Sequence, residues 1–102
     1  MKHSDLSLFK EKGERIACLT AYDATFSDLI SRSGVEVILV GDSLGSVIQG
    51  HKTTLQVTVN NMAYHTACVT KIEPQSLVIT DLPFMSYPNS AEAIKTASAM
   101  MR

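Results

Sequence analysis

VEVILVGD, residues 35–42, is the clearest strand signal in this sequence of 102 residues. The run is rich in β-branched residues, is almost continuously apolar and ends at a Gly-Asp pair. Such runs are typical of parallel strands whose two faces are both covered. Weaker strand signals lie on either side of it, at residues 15–20 and 77–80, and a short leading helix is expected at residues 4–12.

A helical pattern follows each of the three predicted strands. Asp23 is the expected N-cap of the first helix, and either Asn60 or Asn61 is the expected N-cap of the second. Asn89, with Glu92 three residues later, resembles the capping box of a third helix. Three alternations of strand and helix predict an α/β fold with a parallel sheet and right-handed crossovers.

Two carboxylates occupy equivalent places in this pattern. Asp42 follows the second strand and Asp81 ends the third. Parallel strands bring their carboxyl ends to one edge of the sheet, about 4.8 Å apart, and α/β enzymes build active sites at that edge. No cluster of His or Cys accompanies the pair, so it is a candidate site for Mg²⁺ or a similar hard cation. The alternative is that each aspartate only caps a helix or forms a turn.

Other polar residues near these strand ends are weaker candidates. Ser43 could offer its hydroxyl to a substrate, or be an ordinary loop residue. Residues 45–54 exceed the usual length of a βα loop, which favours a lid over a loop without function. Tyr22 could line a site or anchor the fold, His51 is a weak catalytic candidate, and His65 suits packing or an interface better.

The composition is that of an ordinary globular protein, with 45% hydrophobic and 19% charged residues. A net charge of −1 gives no electrostatic case for binding nucleic acid or an anionic membrane. No apolar run approaches the roughly 20 residues of a membrane helix. Cys18 and Cys68 lie in apolar segments, which predicts buried thiols and a reduced, cytoplasmic setting. GxGxxG, P-loop, HExxH and CxxC motifs are absent, so Rossmann and P-loop chemistry lack their usual signatures.

Six short segments follow one another in a characteristic order. They are TAYD (20–23), VGDSLG (40–45), QGH (49–51), TV (58–59), AYHT (63–66) and DLPFMSY (81–87). Together they closely resemble the ketopantoate hydroxymethyltransferase family. The resemblance runs from about residue 15 to residue 102, and the combination of GDSLG with DLPFM is highly specific.

The resemblance implies a (β/α)8 barrel, a fold of roughly 250 residues. On this interpretation residues 1–102 are the N-terminal part of a single barrel domain and end within its third helix. Proteins of this family assemble as homo-oligomers, commonly decamers, so the resemblance implies the same for the full-length protein.

The resemblance also implies roles for the residues at the strand ends. Asp42 and Asp81 would bind Mg²⁺ and, together with Ser43, contact a small 2-oxo acid. The co-substrate 5,10-methylenetetrahydrofolate would supply the carbon transferred to 3-methyl-2-oxobutanoate, giving 2-dehydropantoate through a Mg²⁺-stabilised enolate. The family's general base is a glutamate expected beyond Arg102, and a lysine and a histidine that hold the substrate are also expected there. The chain alone is therefore expected to be inactive.

Two positions depart from the family pattern. An acidic residue is expected at Lys52 and a proline at Gln56, which leaves the detail of that loop open. One alternative is another Mg²⁺-dependent 2-oxo-acid barrel, of the phosphoenolpyruvate mutase and isocitrate lyase type, although DLPFMSY argues against it. A second alternative is a fragment without catalytic activity.

Overall fold

The chain folds as three βα units around a parallel sheet. In the computed structural model, residues 1–101 are described, and the sheet has the order β1-β2-β3 with both pairs parallel. The predicted α/β fold is confirmed. The elements are α1 His3–Glu11, β1 Cys18–Thr20, α2 Ala24–Arg32, β2 Val37–Val40, α3 Leu44–Val47, α4 Val59–Thr70, β3 Leu77–Thr80 and α5 Ser90–Met100.

The central strand β2 sets the register of the sheet. Ile38 lies opposite Leu19 on one side and Val78 on the other, and Val40 lies opposite Thr80. The ladder continues past the end of β3, because the backbone N–H of Asp81 donates to the carbonyl of Val40 at 3.0 Å. The first residue after β3 is therefore held directly against the end of β2.

The core lies where α2 and α4 pack against β2 and β3. Ile38 and Val40 are fully buried there, whereas Leu39, which alternates with them along β2, and its β3 partner Ile79 remain partly exposed. Burial of apolar side chains between helices and sheet is the main stabilising contribution to this arrangement. The buried apolar cluster contains Ala21, Ile38, Val40, Leu44, Val57, Met62 and Val69.

Two of the three predicted helix caps are confirmed. The side chain of Asp23 accepts a hydrogen bond from the N–H of Phe26 at 2.8 Å, and Asn89 accepts one from the N–H of Glu92 at 2.9 Å. Each bond satisfies an N–H that has no partner within its own helix. The helices that follow β1 and β3 therefore begin where the sequence predicts.

The predicted cap of α4 is wrong. Its N-cap is Thr58, whose hydroxyl accepts from the N–H of Asn61 at 3.0 Å, while the Asn61 side chain accepts from the N–H of Thr58 at 3.0 Å. This reciprocal pair is a capping box, with Asn in the place more often taken by Glu or Gln. Asn61 is thus the third residue of the helix, and Asn60 lies within its first turn.

The segment predicted as a long loop, residues 45–54, begins inside the short helix α3. Leu44 is fully buried, and Gly45 lies against the returning chain. A Cβ on Gly45 would come within 2.6 Å of Val57 Cγ2 and 3.4 Å of Thr54 Cα, so only glycine permits this approach. The segment therefore folds back on itself; the lid stays a prediction.

The predicted burial is wrong for Cys18 and is met only in part by Cys68. Cys18 is exposed because it lies on β1, an edge strand whose three residues are all exposed. Cys68 is half-buried on α4. Among residues 1–101, no helix has the length and apolar character needed to span a membrane.

Candidate metal and substrate site

The two strand-end carboxylates share one depression at the carboxyl edge of the sheet. It measures about 470 Å³ and is lined by Asp42, Thr80, Asp81, Leu82 and Tyr87. Asp42 is half-buried, whereas Asp81 and Tyr87 are exposed, so the depression is open to solvent. No lining residue carries a positive charge. The structure thus brings together the two aspartates that the sequence places at strand ends; their role as metal ligands stays a prediction.

Gly41 lies between the side chains that surround this depression. A Cβ on Gly41 would lie 3.2 Å from Asp81 Oδ2 and 3.5 Å from Ser43 Oγ. The first distance is shorter than an ordinary van der Waals contact, and Gly41 itself is buried. Because Gly41 has no side chain, there is room for the Asp81 carboxylate. The side-chain oxygens of Asp81 and Ser43 therefore lie close to the same point.

Ser43 is held by a side chain from the neighbouring strand end. Its Oγ and the phenol oxygen of Tyr22 are 2.5 Å apart, and the bond is partly buried. Ser43 occupies the N-cap position of α3, yet its hydroxyl makes no capping hydrogen bond there. The hydroxyl is therefore committed to Tyr22 rather than to the helix backbone.

His65 ties this group of residues to α4. Its Nδ1 lies 2.8 Å from the backbone carbonyl of Tyr22. A carbonyl oxygen only accepts, so Nδ1 carries the proton of this bond. The ring also meets Tyr64 edge-on, with centroids 5.2 Å apart. The expectation that His65 serves packing or an interface missed this bond to the end of β1.

Two further features surround the carboxylates. Thr80 Oγ1 lies 2.9 Å from Thr66 Oγ1, which joins the end of β3 to α4. Met85, four residues after Asp81, has a φ of 63° and is exposed. This left-handed conformation is strained for a residue with a side chain. Sequence reasoning did not single out Thr80 or Met85, although both lie in or beside the segment DLPFMSY.

The donor atoms at this site are all oxygens. Two carboxylates and a hydroxyl are hard ligands, which suit Mg²⁺ rather than zinc. Within residues 1–101, no three or more His, Cys, Asp or Glu side chains converge as a complete metal site. His51 is exposed and is not among the residues that line the depression.

Comparisons with a family model and with individual proteins point to the same family. Residues 1–102 match the family model described as ketopantoate hydroxymethyltransferase. The chain is 54% identical over 97 residues to 3-methyl-2-oxobutanoate hydroxymethyltransferase 1 of Burkholderia ambifaria, covering 95% of this chain and 36% of that protein. It is 54% identical over 98 residues to 3-methyl-2-oxobutanoate hydroxymethyltransferase of Methylococcus capsulatus, covering 96% and 36%. The chain thus spans 36% of the length of these relatives.

A solved structure supports the fold. The chain superposes with a TM-score of 0.69 and 17% sequence identity on the crystal structure of 2,3-dimethylmalate lyase, a PEP mutase/isocitrate lyase superfamily member. The match covers 95% of this chain and 35% of the lyase. At that identity the likeness concerns the fold alone. The three parallel βα units are therefore arranged like the matched part of that lyase's fold.

Proposed function

The chain belongs to the ketopantoate hydroxymethyltransferase family, and from that premise we propose that it supplies the 2-oxo-acid and metal side of the active site. The reaction is transfer of a hydroxymethyl group from 5,10-methylenetetrahydrofolate to 3-methyl-2-oxobutanoate, which gives 2-dehydropantoate. The observation that carries the proposal is the convergence of Asp42, Ser43 and Asp81 around Gly41 at one edge of the sheet.

Asp42 and Asp81 are the residues that would hold Mg²⁺. They come from adjacent strand ends, and the open depression leaves room beside them for further oxygen ligands such as water or substrate. The bound ion would withdraw electrons from the keto group of the substrate and so acidify the neighbouring C–H. The two carboxylates keep the site negative, which favours the cation over an uncharged occupant.

Ser43 is the residue that would contact the 2-oxo acid. Its Oγ and Asp81 Oδ2 lie 3.5 Å and 3.2 Å from the same point beside Gly41, so a substrate oxygen bound near Asp81 would lie close enough to accept a hydrogen bond from the serine. A hydrogen bond to a charged oxygen is stronger than one between neutral groups, which suits recognition of a carboxylate.

The lining of the depression offers no carboxylate or imidazole base besides the two proposed ligands. Among residues 1–101, its lining includes neither a glutamate nor a histidine. We therefore expect the 102-residue chain to bind the cation and the 2-oxo acid without turning the substrate over. Proton abstraction belongs to the glutamate that the family resemblance leads us to expect elsewhere.

Cation binding tests the metal half of the proposal directly. Mn²⁺, which reports on Mg²⁺ sites by electron paramagnetic resonance, is titrated into the chain and into the variants Asp42→Asn and Asp81→Asn. Each variant should weaken binding at least about tenfold, because a charged ligand is lost. Asp28→Asn is the matched control, since in residues 1–101 Asp28 forms its ion pair with Arg32 on α2, at 3.3 Å, and lies outside the depression. Equal affinity in all four proteins would refute the metal site.

Activity is tested in a full-length hybrid. The matched segment of this chain replaces the corresponding 98 residues of the Methylococcus capsulatus relative, and formation of 2-dehydropantoate is measured. The hybrid should turn over, and Asp42→Asn or Asp81→Asn should lower kcat/KM by about a hundredfold or more. A folded hybrid with no transferase activity, or one in which both variants stay fully active, would contradict the proposed function.

A further inference from the structure

We infer that Tyr22 is a positioning residue for Ser43: its phenol donates to Ser43 Oγ, which leaves the serine proton free to be directed at the bound 2-oxo acid. The inference rests on the proposed function, because it concerns how the same substrate is held. It assigns a role to the hydrogen bond between the Tyr22 and Ser43 hydroxyls, a bond that the proposed metal site does not explain.

The direction of the Tyr22–Ser43 bond follows from the chemistry of the two hydroxyls. Each can donate one proton, and the oxygens are 2.5 Å apart. A phenol is the more acidic of the two and therefore the better donor, so Tyr22 donates and Ser43 accepts. The serine hydroxyl then keeps its own proton for a third group. Hydrogen bonds arranged in such a chain polarise and strengthen one another.

Ser43 has no competing partner among the backbone groups of its own helix. A serine at an N-cap usually accepts a hydrogen bond from an N–H two or three residues later. Ser43 makes no such bond, and its Oγ and Asp81 Oδ2 lie 3.5 Å and 3.2 Å from the same point beside Gly41. The third partner of the serine hydroxyl is therefore expected on the carboxylate side, where the substrate would lie.

Backbone hydrogen bonds at Ala21 and Tyr22 hold Tyr22 in place. The N–H of Ala21 donates to the carbonyl of Leu39 at 3.2 Å, which extends the pairing of β1 with β2. The carbonyl of Tyr22 accepts from His65 Nδ1 at 2.8 Å. Tyr22 is also half-buried against the apolar core. Its hydroxyl is thus presented to Ser43 from a backbone anchored on both sides.

The test compares Tyr22→Phe with Tyr64→Phe in the full-length hybrid. Both changes delete one phenol oxygen, but Tyr64 is 66% exposed on α4 and its hydroxyl lies outside the site. Tyr22→Phe should raise the KM for 3-methyl-2-oxobutanoate about fivefold to tenfold, the effect of one lost hydrogen bond, with kcat changed less than about twofold. Tyr64→Phe should change neither, and Mn²⁺ affinity should stay unchanged in both.

A double-mutant cycle separates positioning from a structural role. In a Ser43→Ala background, Tyr22→Phe should have no further effect on KM, because the acceptor of its hydrogen bond is gone. Ser46→Ala, on the exposed side of α3, is the control background and should leave the full effect of Tyr22→Phe in place. The inference would be overturned if Tyr22→Phe raised KM by the same factor in the Ser43→Ala background as alone. It would also be overturned if Tyr22→Phe and the unsubstituted hybrid had equal KM values.

The same variants can be compared as 102-residue chains if the hybrid does not fold. Each is titrated with 3-methyl-2-oxobutanoate in the presence of Mg²⁺, and Tyr22→Phe should weaken binding by the same factor. An unsubstituted chain that binds Mn²⁺ and the 2-oxo acid, alongside a Tyr22→Phe chain of equal affinity, refutes the role of Tyr22 alone. An unsubstituted chain that binds neither refutes the proposed function and this inference with it.

Discussion

Asp81 Oδ2 lies 3.2 Å from the point at which a Cβ on Gly41 would be placed. The absence of a side chain on one strand end is therefore what lets the carboxylate of the next strand lie across it. Asp81 is exposed and its side chain can turn, whereas the backbone of Gly41 is buried. A substitution at residue 41 is thus expected to displace the Asp81 carboxylate rather than strand β2.

Gly41→Ala should weaken Mn²⁺ binding by a factor of about two to ten. The added methyl would lie 3.2 Å from Asp81 Oδ2, so the carboxylate must shift, and a shift that takes the side chain off its rotamer costs about 0.5–1.5 kcal/mol. Mn²⁺ affinity is measured by electron paramagnetic resonance, and circular dichroism checks that the fold is kept. Unchanged affinity in a folded Gly41→Ala protein would show that the close approach does not matter for the site.

Gly45→Ala should act on stability. Its methyl would lie 2.6 Å from Val57 Cγ2, and both residues are buried. Overpacking of this kind costs about 1–3 kcal/mol of the free energy of unfolding. The double variant Gly45→Ala/Val57→Ala should lose less than the sum of the two single variants, because the clashing methyl is removed. Urea denaturation measures all three, and strictly additive losses would contradict the contact.

Thr58→Ala should destabilise the protein by about 1 kcal/mol, the usual effect of removing an N-cap hydroxyl. The loss leaves the N–H of Asn61 without its partner at the start of α4. Asn60→Ala is the matched control and should stay within about 0.5 kcal/mol of the unsubstituted chain. Midpoints of urea unfolding decide between them. A larger loss of stability from Asn60→Ala than from Thr58→Ala would instead support Asn60, one of the two N-caps that the sequence predicts.

The backbone at Met85 offers a test of local strain. Its φ of 63° is costly for any residue with a side chain and most costly for a β-branched one. Met85→Val should therefore lower the free energy of unfolding by about 1–2 kcal/mol, whereas Met85→Gly should leave it equal or higher. Phe84→Val, at the exposed neighbouring residue, controls for lost side-chain area. Equal stabilities of Met85→Val and Met85→Gly would contradict the strained conformation.

Sequence periodicity predicted the order of strands and helices because it reflects which faces of each element are buried. The predicted limits were less accurate where burial is incomplete. The first strand was expected at residues 15–20 and forms only at Cys18–Thr20, whose three residues are exposed at the edge of the sheet although the run is largely apolar. The α3 helix was missed because it is only four residues long and depends on the contact of Gly45 with Val57.

The acidic residues of the candidate site could be predicted from the sequence, but its hydrogen bonds could not. Asp42 and Asp81 follow from topology alone, since parallel strands present their carboxyl ends at one edge. The bond between Tyr22 and Ser43 joins residues 21 apart, and that between His65 and Tyr22 joins residues 43 apart. Such bonds depend on the packing of α4 against the sheet and on side-chain rotamers, which no local pattern encodes.

The hydrogen bond from the N–H of Asp81 to the carbonyl of Val40 also bears on how such an active site can change over evolutionary time. It fixes the spacing of Asp42 and Asp81 through the pairing of β2 with β3, which are consecutive strands in the chain. Asp42 and Asp81 therefore lie within one continuous segment, residues 42–81, which can be inherited as a single module. Recombination could transfer this module whole between barrels, while the groups that choose the chemistry vary around it.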